Sequence, residues 1–257
     1  SLGIMNMLLR KIPRVAYFRP IIADQAEGHH DQHIDLILKH FHLDTKYEQA
    51  YVFEEKVAND LISNGKTLEL VEKVLLKFKE LEEHYDFVLI EGKTISGISG
   101  AIEADINAML AKNLGSPVLL VTNAYKKNMD ETLKSVKITA EAFVEKKCDL
   151  LGVIVNRLDP NLKQEISSVA RQVLGKKVPC FYAIPFYQKL NGPTVKEIAQ
   201  ALDANILFGA RHMKRQATDF IIAAANLPVF LDFLMEGGLV ITPGDRMDIL
   251  LASILAR

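Results

Sequence analysis

The feature that most constrains this chain is an alternation. Short apolar runs rich in branched side chains are separated by helix-length amphipathic segments. The runs are "RVAYF" (14–18), "DFVLIEG" (86–92), "PVLLVTN" (117–123), "LLGVIVN" (150–156) and "VPCFYAIP" (178–185). None alternates strictly between polar and apolar residues, which is the pattern of strands buried on both faces of a parallel sheet. The segments between them, 67–84, 101–114, 128–147 and 160–176, carry helical periodicity. In "KTLELVEKVLLKFKELEEHY" the residues Leu68, Val71, Leu75, Phe78 and Leu81 define the expected apolar face. Repeated strand–helix units with right-handed crossovers predict an α/β fold with a doubly wound, mostly parallel sheet.

Such sheets bind ligands outside the carboxyl ends of their strands. The strand-end residues are Arg19-Pro20, Glu91-Gly92, Thr122-Asn123, Asn156-Arg157 and Ile184-Pro185. Glu91 closes a buried run and precedes a glycine. A carboxylate there reaches a magnesium ion held by phosphates, or it is simply solvated. Asp31, in "AEGHHDQHID", is placed to cap a helix or to supply a second magnesium ligand facing Glu91. His29 and His33 have the i, i+4 spacing of a metal-chelating pair, but no cysteine or further carboxylate completes a set, so a solvated loop is the expectation. Asn156 has an amide that reads a purine edge or caps the following turn. Pro185 begins a loop, "PFYQKLNGPT", able to lie against a base. In "TPGDRMD", Asp245 suits a helix cap and Arg246 an anion partner.

The opening stretch "SLGIMNMLLRK" reads as a helix that normally follows a strand and a tight loop. A boundary is expected near 203–212, which divides the chain into domains at 1–203 and 204–257. The second part reads as a helix, a strand at 239–242, a Pro-Gly turn and a helix from about Arg246.

Composition narrows the function classes. The 31 basic and 32 acidic side chains give a net charge of -1, so no basic field is present to hold nucleic acid. Two distant cysteines, Cys148 and Cys180, form neither a disulfide framework nor a zinc motif and suit a reducing, cytoplasmic setting. The most apolar stretch, 220–242, is broken by Asn226, Asp232 and Glu236, so no membrane span is expected.

The order "SLGIMNMLLRK", "VAYFRPI", "HHDQH", "DFVLIEG", "SPVLLVTN", "LLGVIVNRLDP" and "AIPF" resembles the dethiobiotin-synthetase-like branch of P-loop proteins, which includes cobyrinic acid a,c-diamide synthase. The tail, above all "GGLVITPGDRMDILLASILA", resembles a DRTGG domain. The pairing resembles the N-terminal, non-catalytic region of long phosphate acetyltransferases, the phosphotransacetylase family. The resemblance implies a P-loop NTPase-like domain without its first strand and Gly-rich loop, followed by the start of a small α/β DRTGG domain. It implies that Asp31 and Glu91 contact magnesium and that Asn156 reads adenine. Arg19, Arg157 and Pro185 complete the expected nucleotide-binding set. ATP and magnesium are the implied cofactors, weakly held where the phosphate loop is missing, and no catalytic residue is assigned.

Departures from the family pattern bear on chemistry. The synthetase has Lys-Pro at the end of its second strand, where this chain has Arg19-Pro20. An arginine keeps the charge but cannot act as a near-neutral amine. The glycine-rich run after Glu-Gly is here "KTISGISG". The Asp-Arg pair of the tail continues with Met-Asp in place of Thr-Gly-Gly. The expected role is a regulatory or scaffolding region that senses a nucleotide or metabolite, within a homo-oligomer or attached to an acetyltransferase domain. The alternatives are an ATP-dependent carboligase or amide-forming enzyme, and a pure interaction module.

Overall fold

The structure, a computed structural model, describes residues 1–26, 28–92, 100–174, 178–187, 190 and 192–255. It divides into two compact units, Ser1–Ile184 and Pro185–Arg257.

The first unit contains the strands read from the apolar runs. They are β1 (Val15–Phe18), β2 (Ile21–Ile22), β3 (Phe53–Glu54), β4 (Phe87–Ile90), β5 (Val118–Asn123), β6 (Leu150–Leu158) and β7 (Phe181–Pro185). Its helices are α1 (Leu2–Leu9), α2 (Gln32–Phe41), α3 (Glu55–Ser63), α4 (Thr67–Glu82), α5 (Gly100–Asn113), α6 (Met129–Glu145) and α7 (Lys163–Leu174). β1 pairs with β4, β2 with β3, and β5 with β6, all in parallel; β7 lies beside β6. This is the expected α/β architecture of parallel strands joined by helices.

The period-two geometry of β1 sorts its side chains onto two cores. Ala16 and Phe18 pack with residues of α3, α4 and α5, including Ala58, Leu70, Val74 and Ile106. Val15 and Tyr17 pack with Met5 of α1 and Ile34 and Ile37 of α2. A strand apolar on both faces therefore has helices on both faces, which is why the run "VAYF" lacks alternation.

α4 buries Val71 and Leu81 of the expected apolar face and packs Phe78 against the same core, but it corrects Leu68. Leu68 is 75% exposed, and Leu70, Val71, Val74 and Leu81 are the buried residues. The i, i+4 step from Leu70 to Val74 and the seven-residue step to Leu81 form a stripe one residue out of phase with Leu68. α6 begins at a capping box in which Asn128 Oδ1 accepts the Glu131 N–H at 2.9 Å and Glu131 accepts the Asn128 N–H at 3.0 Å.

Gly152 marks a close approach between β6 and the residue that leads into β7. A Cβ there would fall 2.6 Å from the Cys180 carbonyl oxygen, the atom that accepts the Val153 N–H at 2.8 Å. Gly152→Ala is expected to cost about 1–3 kcal/mol by overpacking. A melting curve indistinguishable from that of the parent would refute this.

The second unit corrects the sequence reading at its start. The stretch expected to be helical holds β8 (Asp219–Ile222), which pairs in parallel with β9 (Gly238–Ile241). Helix is confined to α9 (Leu227–Phe233), capped by Asn226 with Pro228 in its first turn. "DFII" has the branched side chains of a strand, and Asn-Leu-Pro fixes the helix start after it. The unit also contains α8 (Val195–Ala201) and α10 (Met247–Leu255). Its core is Ala223, Phe230 and Ile249, with Ile221 and Val240 packed against them.

The expected anion partner Arg246 is engaged within this unit. Its Nε and Nη2 donate to the two Asp248 oxygens at 2.9 and 2.8 Å, and Nη2 also donates to the Ala225 carbonyl at 3.0 Å. The Arg246 hydrogen bonds hold the Asp248 carboxyl down to about 2. The stabilisation from this lowered acid is complete above the ordinary aspartate range and is lost as pH falls through about 2. An NMR titration of the Asp248 carboxyl should give a midpoint at least one unit below that of the Arg246→Gln variant; equal midpoints would contradict the pairing.

Candidate strand-end site

The register of β1 and β4 builds the site. Tyr17 lies opposite Leu89 and Phe18 opposite Ile90. Leu89 packs on the same face as Tyr17, against α1 and α2. One step further, the Glu91 N–H donates to the Phe18 carbonyl at 2.8 Å, so Arg19 and Glu91 emerge side by side. By the same alternation both continue the Tyr17–Leu89 face, where α1 and α2 begin.

Asp31 caps α2. Its Oδ1 accepts the N–H groups of His33 and Ile34 at 3.0 and 3.1 Å. Its own N–H donates to the Tyr47 hydroxyl at 2.7 Å, and His30 stacks on Tyr47 with ring centres 3.9 Å apart. The cap holds the carboxylate against Arg19, whose Nη1 donates to Asp31 Oδ1 at 3.1 Å and Oδ2 at 3.4 Å. Only 9% of the Arg19 side chain and 4% of the Asp31 side chain are exposed.

Glu91 completes the group. Its Oε1 lies 3.8 Å from Arg19 Nε and 3.7 Å from His33 Nδ1. The Ser1 hydroxyl, at the N-terminus of α1, donates to Glu91 Oε2. The Tyr17 hydroxyl is buried close to Glu91 but outside hydrogen-bond geometry; burial, with the Glu91 charge second, drives its ionisation upward. Gly92 then passes close to α5, where a Cβ would sit 2.7 Å from Asn107 Oδ1. The region "KTISGISG" that follows lies outside the described residues at 93–99.

The sequence-predicted residues thus separate. Arg19, Asp31 and Glu91 come together. Asn156 and Arg157 make different contacts: β6 runs two residues beyond Asn156, so Asn156 lies within the strand and not at its end. It faces Asn123 of β5 in the register, and its Oδ1 accepts the Arg157 N–H at 3.0 Å. Arg157 has a left-handed φ of 60° and lies over the Tyr125 ring at 4.3 Å. Pro185 is the last residue of β7.

Three members of the group escape a motif search: Ser1, Tyr17 and His33 in its contact with Glu91. Tyr17 carries one legible signal, its i, i+2 spacing from Arg19 within a strand. His29 and His33 do not complete a metal set; among the described residues no group of three or more His, Cys, Asp or Glu side chains is placed to hold a metal ion. Likewise among the described residues, no helix is long and apolar enough to cross a membrane.

Comparison with known proteins identifies the two parts of the chain. Residues 1–194 match the AAA domain family, and residues 197–257 match the DRTGG domain. Over its full length the chain is 38% identical to a protein named phosphate acetyltransferase from Nitratidesulfovibrio vulgaris and 34% identical to one from Synechocystis sp.. It is 26% identical to another of the same name from Pseudomonas aeruginosa. The chain spans 37% of the length of the first two relatives. These matches place the chain in the dethiobiotin-synthetase-like AAA domain family, followed by a DRTGG domain, in the arrangement of the N-terminal region of long phosphotransacetylases.

Proposed function

We propose that this chain is a regulatory or scaffolding region of a phosphate-acetyltransferase-type protein in the cytoplasm. It senses a nucleotide or small metabolite and passes the effect to an attached acetyltransferase domain or to a homo-oligomer. The observation that carries this reading is the state of Arg19. Its guanidinium is buried and paired with Asp31 at the strand ends, where an amide-forming enzyme of the resembling type uses a lysine. A permanently charged, pinned guanidinium holds shape and binds anions; it does not serve as a reactive amine. The DRTGG unit and the match of this whole chain to 37% of the length of a phosphate acetyltransferase support the regulatory context.

The test uses the parent protein. Phosphate-acetyltransferase activity is measured with and without ATP, in the intact protein and after deletion of this region. The expected result is an ATP response that the deletion abolishes, with the acetyl-transfer reaction itself retained. ATP hydrolysis by this chain, dependent on an added diamine or dicarboxylate, would instead establish the amide-forming reading. Indifference of the parent to both ATP and the deletion would leave a pure interaction module.

A further inference from the structure

We infer that the Arg19 guanidinium takes the place of the divalent cation between Asp31 and Glu91, so that this strand-end site carries its own internal cation and holds no magnesium. The resemblance implies magnesium at these two carboxylates, and the donor set does not fit it. Asp31 Oδ1 already accepts three N–H groups, from Arg19, His33 and Ile34, at 3.0 to 3.1 Å. Its second oxygen also faces Arg19 Nη1, at 3.4 Å. Glu91 gives one oxygen to the Ser1 hydroxyl and turns the other toward Arg19 and His33.

The guanidinium is therefore flanked by both carboxylates, Nη1 toward Asp31 and Nε toward Glu91. It has the planar fork that such a double contact requires. Magnesium demands oxygen ligands at about 2.0–2.1 Å in near-octahedral order and gives up its waters reluctantly. Here it would have to displace the cap hydrogen bonds of α2 and sit beside a buried unit positive charge. The guanidinium supplies the neutralisation without either cost. Its Nε is buried without a hydrogen-bond partner and 3.8 Å from Glu91, so a small movement of Glu91 tightens the group further. The inference concerns the same site as the regulatory reading but is tested by ion binding alone, so either can fail without the other.

The test is a titration of the full chain with manganese alone, followed by the electron paramagnetic resonance signal of the free aqua ion. The wild-type protein is expected to show no saturable site that depends on Glu91. Arg19→Met and Arg19→Gln free the two carboxylates and are expected to acquire one site, at least about tenfold tighter than any wild-type binding. That site should be lost again when Glu91→Gln is added. A saturable wild-type site removed by Glu91→Gln would overturn the inference, as would folded Arg19 variants that gain no site. Arg19→Gln keeps a hydrogen-bonding side chain in case Arg19→Met does not fold. If neither variant folds, the wild-type titration against Glu91→Gln decides the question.

Discussion

Replacing Asp31 by alanine is expected to lower the unfolding free energy by about 3–5 kcal/mol, because it leaves the Arg19 charge buried beside one distant carboxylate. The side chain does two jobs. It neutralises Arg19 at 3.1 Å, and it caps α2 through the His33 and Ile34 N–H groups. Asp31→Asn separates them, since the amide oxygen can still accept the cap hydrogen bonds while the charge is gone. The alanine variant should therefore be less stable than the asparagine variant by about 1 kcal/mol, the usual worth of a cap. Urea unfolding measures both. A loss below about 1 kcal/mol for Asp31→Ala would mean that water reaches Arg19 and that the group is not a buried ion pair.

The second large effect is expected on the other face of the same strand. Phe18 is fully buried in the cluster that includes Ala16, Ile21, Phe53 and Leu70. Phe18→Ala should cost about 3–5 kcal/mol through lost burial and the cavity left behind. Phe18→Leu should cost less, because much of the volume is kept. The two faces of β1 hold separate cores, so Phe18→Ala and Asp31→Ala should combine close to additively in urea unfolding. An interaction energy above about 1 kcal/mol would show that the cores communicate through the strand.

The fold was legible because its units repeat a local rule. Runs such as "PVLLVTN" and "LLGVIVN" are too short and too branched for helices and became β5 and β6. The errors have local causes too. "DFII" sits in an apolar stretch long enough to read as helix, and only its parallel partner "GLVI" makes it β8. Asn156 reads as a strand end because the apolar run stops there. The ladder continues to Leu158, since backbone pairing does not depend on apolar side chains.

The sequence by itself determined the main strands β1, β4, β5, β6 and β7 and the helices α4 to α7 between them, and it placed Arg19, Asp31 and Glu91 at strand and helix ends. Local periodicity and capping chemistry suffice for that. Tertiary structure alone decided that these three form one group. The β1–β4 register sets Arg19 beside Glu91, and the packing of α2 on the Tyr17–Leu89 face brings its capping carboxylate to the same guanidinium. Asn156 makes the local contact that the sequence reading kept open, to the Arg157 N–H. Charges far apart in sequence meet only through register and packing, and no local pattern encodes that distance.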